Sequence, residues 1–162
     1  LETVALQTTT GASSFTLQDD GVGLTNLNIT GAKNLTLAVS GGSSLTSVNA
    51  SSFTGNLNIS GLSAAAGVTV SGGSGADTIT DGAGNDVIYG GAGNDTLIGG
   101  EGADTYVFNL GDGKDTINEW GYAGTDVLRF AHWLCGNRHD AEDLAAEAFV
   151  LGVKAGPEGQ AS

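Results

Sequence analysis

Five aspartates in the middle of the chain recur at a nearly constant spacing. Four of them lie nine residues apart and the fifth follows an insertion of two residues: Asp77, Asp86, Asp95, Asp104 and Asp115. Each closes a glycine-rich hexapeptide, and an apolar or tyrosine residue stands two positions after it. Carboxylates repeated at a constant spacing can present hard, negatively charged oxygen atoms along one line of a repetitive fold.

Glycines accompany these aspartates at the second and fourth positions of the repeats. They are Gly73, Gly75, Gly82, Gly84, Gly91, Gly93, Gly100, Gly102 and, in the last copy, Gly113. Glycine adopts positive φ and lets backbone carbonyls crowd together, which a Cβ would prevent. Calcium takes about six to eight oxygen ligands and accepts carbonyls beside carboxylates. The pattern therefore predicts calcium sites formed by the aspartates and the carbonyls of adjacent glycines.

The eighth position of each repeat separates this interpretation from a flexible Gly/Asp linker. It is always apolar or aromatic: Ile79, Ile88, Leu97 and Tyr106. A linker does not place such a residue at every ninth position. Burying one aliphatic side chain stabilises a repeat by about 1.5–3 kcal/mol, whereas ordering the backbone of its nine residues costs roughly 1–2 kcal/mol each. We therefore expect the repeats to fold only when they bind the ion.

Residues 72–118 resemble the calcium-binding nonapeptide repeat of RTX (haemolysin-type) proteins, G-G-x-G-x-D-x-U-x. The resemblance implies a right-handed parallel β-roll in which two nonapeptides complete one coil and each ion lies between turns stacked on the same side. It pairs Asp77 with Asp95, Asp86 with Asp104, and Asp95 with Asp115 around the ions. The sequence departs from the family pattern before Asp115, and at Asp81, which replaces the first glycine of the second repeat.

The resemblance also implies a location outside the cell. Members of this family leave Gram-negative bacteria by type I secretion, stay unfolded in the calcium-poor cytosol and fold outside. Residues 108–113 and 124–130 resemble the region that follows the repeats in many such proteins, and residues 148–152 resemble a segment nearer their C-termini. A secreted protein on the surface of a Gram-negative bacterium is therefore expected.

The charge of the chain agrees with a cation as the principal partner. Acidic residues outnumber basic ones by 18 to 5, for a net charge of −13. Such a field disfavours nucleic acid and anionic lipid as partners. Residues 72–118 contain eight acids, whereas residues 1–71 contain three. Cys135 is the single cysteine, which excludes an intrachain disulfide, and no apolar run is long enough to span a membrane.

The first part of the chain, residues 1–71, is rich in Ser, Thr, Asn and Gly and contains short alternating apolar pairs. They are Leu27/Ile29, Leu35/Leu37, Leu45 with Val48, Leu57/Ile59 and Val68/Val70. The sequence of residues 26–31 also recurs, slightly changed, at 56–61. This echo predicts a β-solenoid with three strands in each thirty-residue turn, and the alternative is a β-sandwich. The composition resembles the strand-rich stretches of S-layer proteins and large RTX adhesins.

The last part of the chain, residues 119–162, has a different character. The spacing of Leu144, Ala148 and Leu151 predicts a short amphipathic helix over 140–153. His132, Cys135 and His139 match no common zinc signature, so a packed cap is favoured over a metal site or a nucleophile pair. Trp120, Tyr122 and Trp133 suit a cap that seals the repeats, with a carbohydrate-stacking surface as the alternative.

Together these features predict an all-β protein: a β-solenoid or strand-rich module (1–71), a calcium β-roll (72–118) and a mixed C-terminal cap (119–162). The predicted function is calcium-triggered folding outside the cell, within a surface-layer or adhesin-like protein. The alternative is a non-catalytic accessory region of a secreted enzyme, such as a protease, a lipase or a polysaccharide-modifying enzyme. No H-E-x-x-H or G-x-S-x-G motif is present, so we expect no catalysis by this chain. Cell-surface polysaccharide and other surface-protein copies are the candidate partners besides calcium.

Overall fold

The computed structural model describes residues 2–19, 23–41, 44–62, 66–118, 129–132 and 150–151. Within them the chain forms two seven-stranded parallel sheets. One sheet holds β1 (Glu2–Thr8), β3 (Leu24–Gly31), β5 (Ser47–Asn49), β7 (Thr69–Ser71), β9 (Val87–Tyr89), β11 (Thr105–Phe108) and β13 (Arg129–His132). The other holds β2 (Ser13–Asp19), β4 (Leu35–Gly41), β6 (Leu57–Leu62), β8 (Thr78–Asp81), β10 (Thr96–Ile98), β12 (Thr116–Ile117) and β14 (Val150–Leu151).

Successive strands alternate between these two sheets, which we call the odd and the even sheet after their strand numbers. Each strand therefore pairs, in parallel, with the strand two places earlier and the strand two places later. A chain that places one strand in each sheet on every turn winds as a coil, so the predicted β-solenoid is confirmed. An ordinary β-sandwich, whose neighbouring strands are antiparallel, does not describe this chain.

The length of a turn changes along the coil. In the first part, Phe15 pairs with Leu37 and Leu35 with Leu57, a step of 22 residues. In the repeats, Thr78 pairs with Thr96, a step of 18 residues, which equals two nonapeptides as the family resemblance implied.

The predicted thirty-residue turn with three strands is wrong. The two echoing segments, 26–31 and 56–61, lie in β3 and β6, which belong to opposite sheets and are not stacked on each other. They look alike because every strand of a two-sided coil alternates inward apolar and outward polar residues, whichever sheet it joins. Likeness between two strands therefore does not measure the length of a turn.

Columns of apolar side chains fill the space between the sheets. In the even sheet the column runs through Ile59, Ile79, Leu97 and Ile117; in the odd sheet it runs through Val48, Val70, Ile88 and Tyr106. All of these residues are buried, with at most 2% of the residue exposed. The inward placement predicted for the eighth position of each repeat is thus confirmed. The apolar pairs predicted for the first part are buried in the same core.

Both sheets continue from the first part of the chain into the repeats. β6 pairs with β8 and β7 pairs with β9 across residue 71, so one core serves both parts. Beyond the repeats, β13 pairs with β11 and β14 pairs with β12. β14 lies inside residues 140–153, so the predicted helix is wrong at Val150–Leu151, whose backbone instead completes the even sheet. The rest of that segment lies outside the described residues.

Candidate calcium sites

Each repeat aspartate comes directly before a short strand of the roll. Because consecutive strands lie in opposite sheets, the aspartates fall into two columns. The even-sheet column contains Asp77, Asp95 and Asp115, and the odd-sheet column contains Asp86 and Asp104. These are the pairs that the family resemblance placed around the ions, and the fold brings them together one turn apart.

Hydrogen bonds tie each aspartate to the turn before it. In the even-sheet column, Oδ1 of Asp115 accepts the Asp95 amide at 2.9 Å, and Oδ1 of Asp95 accepts the Asp77 amide at 2.8 Å. Oδ1 of Asp77 in turn accepts the amide of Leu57 at 2.9 Å. One carboxylate oxygen of each aspartate is thus used to hold the coil together.

The odd-sheet column repeats this arrangement. Oδ1 of Asp104 accepts the Asp86 amide at 2.9 Å, and Oδ1 of Asp86 accepts the amide of Val68 at 2.7 Å. Leu57 and Val68 therefore occupy, in the last apolar turn, the places that aspartates occupy in the roll. The two columns change from apolar to acidic where the nonapeptides begin.

Among the described residues, the second carboxylate oxygens of several aspartates lack a hydrogen-bond partner. Asp86 and Asp95 are each only 1% exposed, and Oδ2 of each is buried with no hydrogen-bond partner. The same is true of Oδ2 of Asp81. Asp77 differs, because its Oδ2 accepts the amide of Gly73 at 2.8 Å. A buried carboxylate oxygen without a partner costs several kcal/mol unless a cation or a proton satisfies it.

Burial raises the pKa of these carboxyls above the ordinary value of 3.8. The pKa of Asp86 rises to about 6, first through burial and then through the charge of Asp104. The pKa of Asp95 rises to about 7 through burial, with added repulsion from Asp115, Asp77 and Asp112. Burial likewise raises the pKa of Asp77 and of Asp115. Neighbouring acids therefore oppose ionisation, and a bound cation would remove that opposition.

The glycines stack turn upon turn with their backbones in close approach. Gly91 lies against Gly73, Gly93 against Gly75, Gly100 against Gly82, Gly102 against Gly84, and Gly113 against Gly93. A Cβ on Gly91 would lie 2.1 Å from the carbonyl oxygen of Gly73, and one on Gly102 would lie 1.6 Å from that of Gly84. Gly102 also has a φ of +137°, a region that favours glycine. No other residue would permit this approach of carbonyls beside the aspartates.

Asparagines at the fifth position add a ladder that the sequence analysis missed. Oδ1 of Asn85 accepts the amide of Ala103, and Oδ1 of Asn94 accepts the amide of Lys114, both at 2.9 Å. In the same way, Oδ1 of Asn56, in the turn before the first repeat, accepts the amide of Ala76 at 3.2 Å. The signal was present as an asparagine directly before Asp86 and Asp95.

Comparison with known proteins agrees with this geometry. The family model of the RTX calcium-binding nonapeptide repeat matches residues 71–106, in four copies. These residues are RTX repeats. RTX repeats bind Ca²⁺, so calcium is the ion of this roll. No curated protein and no solved structure gave a significant match to the chain.

The donors of the RTX repeats suit calcium. They are carboxylate and carbonyl oxygens, which this hard cation prefers. Within the described residues, no three His, Cys, Asp or Glu side chains gather into a metal-binding group. An ion between two stacked aspartates would therefore take much of its coordination from carbonyls, and the closely approaching glycine backbones would be their source.

Several candidate residues of the sequence analysis fall at the end of a described segment or outside the described residues. His132 is the last residue of β13, next to residues that the structure does not describe. Cys135, His139, Trp120, Tyr122 and Trp133 lie outside the described residues. The packed cap, and its alternatives of a metal site and a carbohydrate-stacking surface, stay predictions. In the part of the chain that the structure describes, no helix has the length and apolar character needed to cross a membrane.

Proposed function

We propose that the roll is a calcium-dependent folding module of a secreted bacterial surface protein. Its ligands are the aspartates of the two columns, with the carbonyls of the glycines stacked beside them. The buried, unpartnered Oδ2 atoms of Asp86 and Asp95 carry this proposal. Bound calcium would supply positive charge between stacked turns, cancelling the repulsion among the aspartates and joining one turn to the next.

The two parts of the solenoid differ in what stabilises them. From Leu24 to Leu62 the core consists of closely packed aliphatic side chains with Phe53. In the turn before the repeats, apolar residues take the places that the aspartates occupy in the roll. In the repeats each half-turn buries one large side chain and one carboxylate. We expect the first part to keep its sheets without calcium, whereas the repeats need the ion to overcome buried charge and glycine entropy.

The same features support a structural role at the cell surface. The outward positions of the first strands hold polar uncharged residues, among them Asn26, Asn28, Ser47 and Asn49, as suits a solvent-exposed coil. Calcium is scarce in the cytosol and abundant outside, so a calcium-dependent roll would pass through a type I secretion channel unfolded and fold after export. We propose a surface-layer or adhesin-like parent protein, in which the module is not itself catalytic.

A calcium titration from a chelated start tests this proposal. Far-UV circular dichroism should show a gain of β signal with a midpoint on the order of 10⁻⁴–10⁻³ M, as for extracellular calcium modules, and magnesium should not replace calcium. Hydrogen exchange of the same samples should place the calcium-dependent protection in residues 72–118. A spectrum that is fully β in chelator and unchanged by calcium would exclude the proposal.

A further inference from the structure

One acidic side chain stands where the nonapeptide has glycine. Asp81 is the first residue of the second repeat and only 5% exposed. The other repeats begin with Gly72, Gly90 and Gly99, where a Cβ would lie 2.8, 2.4 and 2.3 Å from Oδ2 of the aspartate in the same repeat. The first position of a repeat therefore adjoins that repeat's own carboxylate, which for Asp81 belongs to Asp86.

The hydrogen bonding of the second repeat differs from that of the first. In the first repeat, the amide of Gly73 satisfies Oδ2 of Asp77 at 2.8 Å. The equivalent amide of the second repeat, that of Gly82, donates instead to Oδ1 of Asp81 at 3.0 Å. Oδ2 of Asp81 and Oδ2 of Asp86 are both left buried without a hydrogen-bond partner. Two neighbouring carboxylates thus each keep one oxygen available.

Asp86 is the first aspartate of its column, so no repeat aspartate lies one turn before it. Later turns place one repeat aspartate above another, but the residue one turn before Asp86 is Val68, which offers only its backbone amide. Beneath Asp81 lies its register partner Leu62, which is completely buried. The apolar turn therefore supplies no carboxylate from below, and Asp81 supplies one from the same repeat.

The electrostatics of the pair call for a cation. The pKa of Asp81 rises to about 8, mainly through burial and then through the charge of Asp86, with a smaller contribution from Asp104. The charged groups that act on it are acids. Ionised together, two adjoining buried carboxylates are strongly unfavourable unless a positive ion lies with them. Their hard oxygen atoms select calcium, the ion that the roll already binds.

We propose that Asp81 and Asp86 form an additional calcium site at the first turn of the odd-sheet column, outside the nonapeptide pattern. The proposal rests on calcium binding by the repeats. Such a site would load the turn that adjoins the apolar part of the solenoid. The odd-sheet column would then start with a bound ion, whereas in the even-sheet column the Gly73 amide already occupies Oδ2 of the first aspartate, Asp77.

Calcium stoichiometry of the full chain tests the site. We would compare the wild type with Asp81→Gly, which restores the residue of the other repeats, and with Asp81→Asn, which keeps the shape and removes the charge. Glu101→Gln is the matched control, because Glu101 is exposed and its loss changes the net charge equally. Isothermal titration calorimetry and native mass spectrometry would count the ions, and circular dichroism in saturating calcium would verify folding.

The outcomes separate this site from calcium binding in general. We expect both Asp81 variants to bind one Ca²⁺ fewer than the wild type, or to bind one ion at least tenfold more weakly, with Glu101→Gln unchanged. Unaltered stoichiometry and affinity in both Asp81 variants would overturn the site and indicate a proton shared between Asp81 and Asp86. An equal loss in Glu101→Gln would overturn it as well. Failure of the wild type to bind calcium would instead refute the proposed function.

Discussion

Replacing Asp95 by asparagine should change stability in opposite directions with and without calcium. Oδ1 of Asp95 accepts the Asp77 amide, while its Oδ2 is buried and unpartnered. Asparagine keeps an oxygen for that amide and removes the negative charge. The substitution therefore isolates the charge, whereas Asp95→Ala removes both the charge and the acceptor.

The size of each effect follows from the contacts. In calcium, losing a charged ligand should weaken binding at that site about tenfold or more, which is roughly 1.4 kcal/mol or more of stability. In chelator at pH 8, the buried charge costs on the order of 2–4 kcal/mol, because burial raises the pKa of Asp95 from 3.8 to about 7. Asparagine avoids this cost, but burying its amide group without a partner itself costs about 1–3 kcal/mol. We therefore expect Asp95→Asn to be more stable than the wild type in chelator by about 1 kcal/mol.

Two measurements provide the comparison. Urea unfolding in saturating calcium should show Asp95→Asn to be less stable than the wild type. In chelator, where the wild-type repeats are expected to be unfolded, the residual β signal of Asp95→Asn should equal or exceed that of the wild type. Asp95→Ala should lie below Asp95→Asn in both conditions by about 1–3 kcal/mol, because the Asp77 amide loses its partner.

The reasoning would be refuted by a change of the same sign in both conditions. If Asp95→Asn destabilised the chelated protein as much as the calcium-loaded one, the carboxylate would serve packing and hydrogen bonding alone. If it left the calcium-loaded protein unchanged, Asp95 would not be a ligand.

Four further outcomes are expected. In chelator, lowering the pH from 8 to about 5 should increase the β signal, because three buried aspartates have pKa values raised to about 6–8 and the stability from their protonated forms is lost as the pH rises through those values. The calcium concentration at the midpoint of folding should rise over the same decrease in pH. Gly102→Ala should destabilise the calcium-loaded protein by at least about 1–3 kcal/mol in thermal unfolding, whereas Gly11→Ala, which has nothing within 4 Å, should not. Leu57→Ala should cost about 2–5 kcal/mol in urea unfolding with calcium or without it, since the cavity lies in the apolar part. Tyr106→Phe should cost about 1–3 kcal/mol in calcium, because its hydroxyl accepts the amide of Gly99 at 2.7 Å.

Local sequence was sufficient for the features that depend on consecutive residues. The alternation around Leu27 and Leu57 identified buried strands, and the nonapeptide spacing identified Ile79 and Leu97 as inward residues. Resemblance to the RTX repeat supplied the pairing of aspartates one turn apart. Each of these properties repeats at a constant interval in the roll, so counting along the chain is enough to find it.

The length of a turn in the first part required the tertiary structure. Turns of 21–23 residues contain loops whose sequences do not repeat, and strands of either sheet show the same alternation, so the chain carries no unambiguous period there. The strand at Val150–Leu151 was missed for a related reason. Its membership of the even sheet depends on backbone pairing with β12, more than thirty residues earlier, and not on its own spacing.

The roles of individual carboxylate oxygens were also decided by tertiary structure. The sequence determined that aspartates recur and that the repeats bind calcium, because charge and spacing are local properties. Only stacking of the turns gave the carboxylates of Asp86 and Asp95 one oxygen that accepts an amide of the preceding turn and one oxygen left without a hydrogen-bond partner. The same stacking buried Asp81, an irregularity of the repeat, and left its Oδ2 without a hydrogen-bond partner, as it did for Asp86. Burial of a carboxylate arises only when the coil closes.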